Sequence, residues 1–140
     1  MPRGGQSSGG GMIRGNNRDN VLTGTNADEF VFGRGGDDVI DTGGGNDVAT
    51  GGSGADTFVI GPGTGVLTIT DFEDGVDHID VSAFGINPND PWGGQYGGYL
   101  ADLNGDTYLT FYDLTTGQEV AEVILQNVDY TLIDISDYIF

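Results

Sequence analysis

The amino-acid sequence predicts an all-β protein: a parallel β-roll built from nine-residue units, followed by a C-terminal β-hairpin that caps it. Three observations predict this. Five nine-residue blocks run without a gap over residues 15–59, glycine supplies 27 of the 140 residues, and an apolar residue recurs at the eighth place of every block. The blocks read GNNRDNVLT (15–23), GTNADEFVF (24–32), GRGGDDVID (33–41), TGGGNDVAT (42–50) and GGSGADTFV (51–59). The last fits the pattern G-G-x-G-x-D-x-U-x, with U apolar, at every place.

The elements follow in chain order. Residues 1–14 are polar and glycine-rich and read as a flexible arm, without the apolar stretch of a cleavable signal. Residues 15–85 form the roll and its flanking strands. In each block, places one to six make a turn and places seven to nine a short strand, so two blocks complete one coil. Leu22, Val31, Ile40, Ala49 and Phe58 then point inward. A sixth block, 60–68, lacks its acid; the spacing slips, and Val66-Leu67-Thr68-Ile69-Thr70-Asp71-Phe72 reads as a strand ending in an aspartate. A turn and a second strand occupy 73–81.

Residues 86–140 form the cap. Its first part, 87–98, holds Pro88, Pro91 and four glycines and reads as a loop, with Trp92, Tyr96 and Tyr99 around it. Residues 107–112 and 120–125 alternate in hydropathy and are joined by Leu114-Thr115-Thr116-Gly117, a hairpin whose apolar face would cover the open end of the roll.

Charge narrows the partners. The net charge is −18, lysine is absent, and the basic side chains are Arg3, Arg14, Arg18 and Arg34. Every acid except Asp19, Asp28 and Glu29 lies beyond Arg34, opposed there only by His78. Such a surface repels nucleic acid and anionic membrane and attracts cations. No apolar run reaches the ~20 residues of a membrane helix. Cysteine is absent, so another cross-link must serve a core with one inward residue per block.

The acids recur with the repeat. Parallel strands stack ~4.8 Å apart, which makes sixth-place side chains two blocks apart near neighbours. One edge carries Asn20, Asp38 and Asp56; the other carries Glu29 and Asp47. At ~4.8 Å two carboxylates repel by ~3.5 kcal/mol at an effective dielectric of 20. Calcium reverses that sign, because it takes six to eight oxygens from carboxylates and backbone carbonyls. The expected ligands are Asp38, Asp47, Asp56 and Glu29, with carbonyls of the turn glycines Gly33, Gly35, Gly43, Gly45, Gly52 and Gly54. Asp71 is expected to supply the oxygen missing beside Asp47, and Asp77 and Asp80 extend the set. Fifth-place Asp19, Asp28, Asp37 and Asn46 are expected to bond turn amides. Several Ca2+ ions would bind, and the repeats would be largely unfolded without them.

Together the nonads, Ala55-Asp56-Thr57-Phe58-Val59, Ile69-Thr70-Asp71-Phe72 and Ile79-Asp80-Val81-Ser82-Ala83-Phe84-Gly85 resemble the repeats-in-toxin family, the hemolysin-type calcium-binding proteins. The resemblance implies unfolded passage through a bacterial type I secretion apparatus, folding on calcium outside the cell, and a secreted or cell-surface location. The closing Asp137-Tyr138-Ile139-Phe140 is similar to that family's terminal export motif of one acid and three apolar residues. A folding and export module of a larger secreted enzyme or toxin fits the same residues. So does a module binding a surface or matrix polysaccharide, with Trp92, Tyr96 and Tyr99 stacking on a neutral sugar. No catalytic residue is assigned: there is no cysteine, no Gly-x-Ser-x-Gly elbow and no metal-protease helix motif, and His78 has no nearby serine to activate.

Overall fold

The computed structural model describes residues 11–90 and 93–140, so most of the expected arm, and Trp92, lie outside the described residues. Eight short strands make the roll: β1 (Met12–Arg14), β2 (Val21–Thr23), β3 (Phe30–Phe32), β4 (Val39–Asp41), β5 (Asn46–Thr50), β6 (Thr57–Val59), β7 (Gly65–Ile69) and β8 (His78–Asp80). The cap contributes β9 (Tyr96–Leu103), β10 (Asp106–Asp113), β11 (Gln118–Leu125) and β12 (Tyr138–Ile139).

The strands form two sheets, because successive blocks place their apolar eighth residues on opposite sides of one thin core. One sheet runs β1-β3-β5-β7-β11-β10-β9 and the other β12-β8-β6-β4-β2. All roll pairings are parallel. Val31, Ala49 and Ile69 stack in the first sheet; Leu22, Ile40, Phe58 and Ile79 stack in the second. The inward residues Val31, Ile40, Ala49 and Phe58 are buried, and Leu22 is half-buried.

The structure departs from the sequence reading in three places. Met12–Arg14, expected in the arm, pair with Phe30–Phe32 as the first strand. Pro88, Pro91 and four glycines suggested a loop through Gly98, yet Tyr96–Leu103 is a full strand, which makes the cap a three-stranded meander. Here glycine marks a close approach: a β-carbon on Gly98 would stand 3.1 Å from the Phe111 ring. Third, the cap does not lay a face over the roll. Instead β11 pairs parallel with β7 and β12 with β8, so both sheets continue into the cap. Rings tie the two regions together: Phe84 stacks on Phe111 at 4.7 Å and meets Tyr96 edge-on at 5.4 Å.

Candidate metal centre

Stacked turns lace together through their acids. The aspartates at this level accept, through Oδ1, from the main-chain N–H of the sixth-place residue one coil earlier. Asn20 N donates to Asp38 (2.7 Å), Asp38 N to Asp56 (2.9 Å) and Asp56 N to Asp77 (2.9 Å). On the opposite edge Glu29 N donates to Asp47 at 2.9 Å. Fifth-place acids bond in the other direction, to the coil that follows: Asp37 N donates to Asp19, Ala55 N to Asp37 and Asn46 N to Asp28, at 2.7–2.8 Å.

The second oxygen is the chemically informative one. Asp38, Asp47 and Asp56 are 1 %, 1 % and 0 % exposed, and among the described residues the Oδ2 of each has no hydrogen-bond partner. An ionised oxygen buried without a donor is costly. Burial accordingly raises the Asp38 and Asp47 carboxyls above their ordinary value, with neighbouring acids adding to the effect. Asp56 is pushed up to about 7, by burial first and then by Asp77, Asp38 and Asp71.

Backbone oxygens crowd the same space. A β-carbon on Gly33 would overlap both Asp38 Oδ2 and the Gly51 carbonyl, and one on Gly51 would overlap Asp56 Oδ2. Further up the turns, β-carbons on Gly52 and Gly54 would overlap the Arg34 and Gly36 carbonyls. On the second edge Gly43 and Gly45 face the carbonyls of Thr25 and Ala27. Gly52 and Gly54 have φ of 92° and 105°, a region side-chain-bearing residues rarely adopt. Among the described residues no group of three or more acidic, histidine or cysteine side chains converges on one point. The donor set is therefore lone carboxylate oxygens among many carbonyls. Those are the hard oxygen ligands of calcium, and they fit it.

The remaining expected ligands separate. Glu29 is buried but closes its own turn, accepting from Thr25 N at 2.9 Å and from the Thr25 hydroxyl; Asn20 likewise accepts from Asn16 N at 2.8 Å. Asp71 is not beside Asp47. It lies past the far end of β7, where its oxygens accept from Gly51 N and Gly52 N at 2.9 and 2.8 Å, on the edge of Asp56. The stacking explains this: β7 pairs with β5 through Ala49–Ile69, so a residue that follows β7 joins the turn that follows β5, on the edge of Asp56. Asp77 is the last rung of the Asp38–Asp56 edge, with its Oδ2 taken by Glu73 N at 2.9 Å. Asp80 is at the opposite end of β8 and caps a turn through Ser82 N.

One role was missed in the sequence. Asp137 is fully buried and accepts from Gly75 N (3.2 Å) and Asp134 N (2.8 Å), tying the terminal residues to the last roll turn. Its signal was the spacing of Asp134 and Asp137, a capping box on the short 3₁₀ turn Ile135–Asp137. Tyr138 and Ile139 pair with Ile79 and Asp80, and burial raises the Tyr138 hydroxyl.

Comparison with known proteins bears on the repeats and the fold. The family model described as the RTX calcium-binding nonapeptide repeat (4 copies) matches residues 7–40, 14–49, 23–58 and 32–67. Among solved structures, the chain is similar to the AlgE6R3 subunit of the Azotobacter vinelandii mannuronan C5-epimerase: TM-score 0.74, 26 % identity, covering 96 % of this chain and 80 % of that one. It is similar also to the AlgE6R2 subunit of that enzyme: TM-score 0.59, 30 % identity, covering 91 % of each chain. No curated protein sequence matches.

Proposed function

This chain belongs to the RTX family of calcium-binding nonapeptide repeat proteins, and from that premise we propose that it is a secreted protein whose repeats fold on binding Ca2+ outside the cell. The observation that carries the reading is the row of buried, unpartnered Oδ2 atoms on Asp38, Asp47 and Asp56. Asp38 and Asp56 hold ions on one edge of the roll and Asp47 on the other, with carbonyls of the flanking turns completing each shell. The ion supplies positive charge where folding buries acids, turning repulsion into cross-linking. The chain's own contribution is to fix each carboxylate through an amide of the previous coil and to keep the glycine positions clear.

Passage through a type I exporter precedes folding in this scheme, with Asp137-Tyr138-Ile139-Phe140 read while the chain is still extended. The chain performs no catalysis of its own. The test is a calcium titration followed by circular dichroism and calorimetry. A β-rich spectrum should appear with calcium and vanish in chelator; a compact β-rich chain in excess chelator overturns the proposal.

A second reading is favoured by the likeness to subunits of an enzyme named for mannuronan: a polysaccharide-binding or folding module within a larger secreted enzyme. Two of the candidate stacking rings have packing partners, Tyr96 on Phe84 and Tyr99 on Tyr112. Glycan-array binding that is lost in Trp92→Ala would favour this reading.

A further inference from the structure

Among the described residues, four buried side-chain oxygens lack a hydrogen-bond partner: the Oδ2 atoms of Asp38, Asp47 and Asp56, and the hydroxyl Oγ1 of Thr42. The three carboxylate oxygens fit calcium. The hydroxyl is left over. Thr42 lies in the turn between β4 and β5 and is 0 % exposed. A threonine hydroxyl donates and accepts and can rotate toward a partner, so burying one with none is costly.

Its place in the repeat decides what it faces. Thr42 opens the block 42–50, whereas the other four blocks open with Gly15, Gly24, Gly33 and Gly51. The opening residue stands against the side chain five residues on. A β-carbon on Gly33 would overlap Asp38 Oδ2, and one on Gly51 would overlap Asp56 Oδ2. At Thr42 a side chain occupies that position, and the acid five residues on is Asp47. Burial raises the Asp47 carboxyl, while the Glu29 amide and then the Thr42 hydroxyl pull it back down. The hydroxyl therefore lies beside Asp47, yet the bare Oδ2 has no completed hydrogen bond.

This edge of the roll is short of acid oxygens. Asp38, Asp56 and Asp77 follow one another on the first edge. On the second, Glu29 is taken up by its own turn, Asp71 lies on the first edge, and the block 60–68 has no sixth-place acid. Neutral oxygens are at hand instead. The Thr42 carbonyl faces Gly24, and the carbonyls of Thr25 and Ala27 face Gly43 and Gly45. The coils on both sides belong to the described residues. The later one reaches this turn through the Gly63 carbonyl, 3.1 Å from the place of a β-carbon on Gly44.

We propose that the Thr42 hydroxyl is a calcium ligand, which together with Asp47 Oδ2 forms the side-chain part of the ion seat on the second edge. The proposal rests on the calcium-binding reading above and adds a ligand outside the acidic ladder. A hydroxyl is a hard oxygen of the kind calcium takes. It adds a donor without adding negative charge, and the ion gives a buried oxygen the partner that the fold does not.

Calcium titrations by calorimetry and circular dichroism test this. Thr42→Val keeps the shape and removes the oxygen, and it should weaken binding at the Asp47 seat by about tenfold or more. Thr42→Ser keeps the oxygen and should bind like the parent. Thr42→Ala should match Thr42→Val, which separates loss of the oxygen from misfit of the valine methyl. In an Asp47→Ala background Thr42→Val should change the calcium midpoint no further, because that seat is already lost. At saturating calcium the circular dichroism of each variant should match the parent. Parental binding in both Thr42→Val and Thr42→Ala overturns the proposal, and so does a loss that persists in full without Asp47, which would mark a packing role. Tighter binding in either variant also overturns it, because the hydroxyl would then shield Asp47 from the ion. A parent that binds no calcium defeats the calcium-binding reading itself, an outcome told apart because the unaltered chain already fails.

Discussion

Asp38 and Asp56 each use one oxygen to hold the preceding coil and leave the other buried and bare, which gives them a structural role and fits the proposed role as calcium ligands. Replacing either with alanine should raise the calcium midpoint of folding by about tenfold or more, the loss of ~1.4 kcal/mol or more of binding. Asn20→Ala should shift it little, because Asn20 closes only its own turn. A calcium titration by circular dichroism compares the three, and equal effects would mean the edge is wrongly assigned. Gly51→Ala should also raise the midpoint without removing a ligand, since its β-carbon would overlap Asp56 Oδ2. At this scale the period made the three sixth-place aspartates legible. The amide lacing was not legible, because which oxygen meets which N–H depends on coil stacking. Asp71 was misplaced because it was assigned to the edge before β7, whereas it follows that strand and so lies with the turn after β5.

Strands β7 and β8 end the roll, and each would expose an unpaired edge without β11 and β12. Removing residues 120–140 therefore takes away two parallel neighbours and the buried Asp137 contact with Gly75. The truncated chain should lose most of the calcium-induced circular dichroism change, and an unchanged response would show that the repeats nucleate unaided. Strands β10 and β11 were legible from alternation. Strand β9 was not, because Gly97 and Gly98 look like a loop until Phe111 is seen packing against the glycine. That the cap continues the sheets, rather than lying over them, depends on pairing partners far apart in sequence.

Across the whole molecule, the proposed sites would set protons and calcium in competition for the same carboxylates. Burial lifts Asp56 from its ordinary 3.8 to about 7, so the ion-free fold retains a proton that the unfolded chain releases. That contribution is fully present below the unfolded value and is lost as pH rises toward 7. In chelator, residual structure should therefore be greater at about pH 5 than at about pH 8. With calcium the order should invert, because the ion must displace protons from its ligands. Parallel circular dichroism series, with and without chelator, check this; the same pH trend in both would argue against a shared site. The all-β class and the roll were legible because every block repeats one solution.

The two-way amide lacing also constrains how such a gene can grow. Fifth-place acids reach forward one coil and sixth-place acids reach back one, so every turn needs matching neighbours on its own edge. Duplicating a single nonad would transfer everything downstream to the opposite sheet and present β11 and β12 with the wrong partners. Duplicating a pair would leave each downstream strand facing its existing neighbours. Lineages descended from this chain should accordingly differ in length by even numbers of nonads.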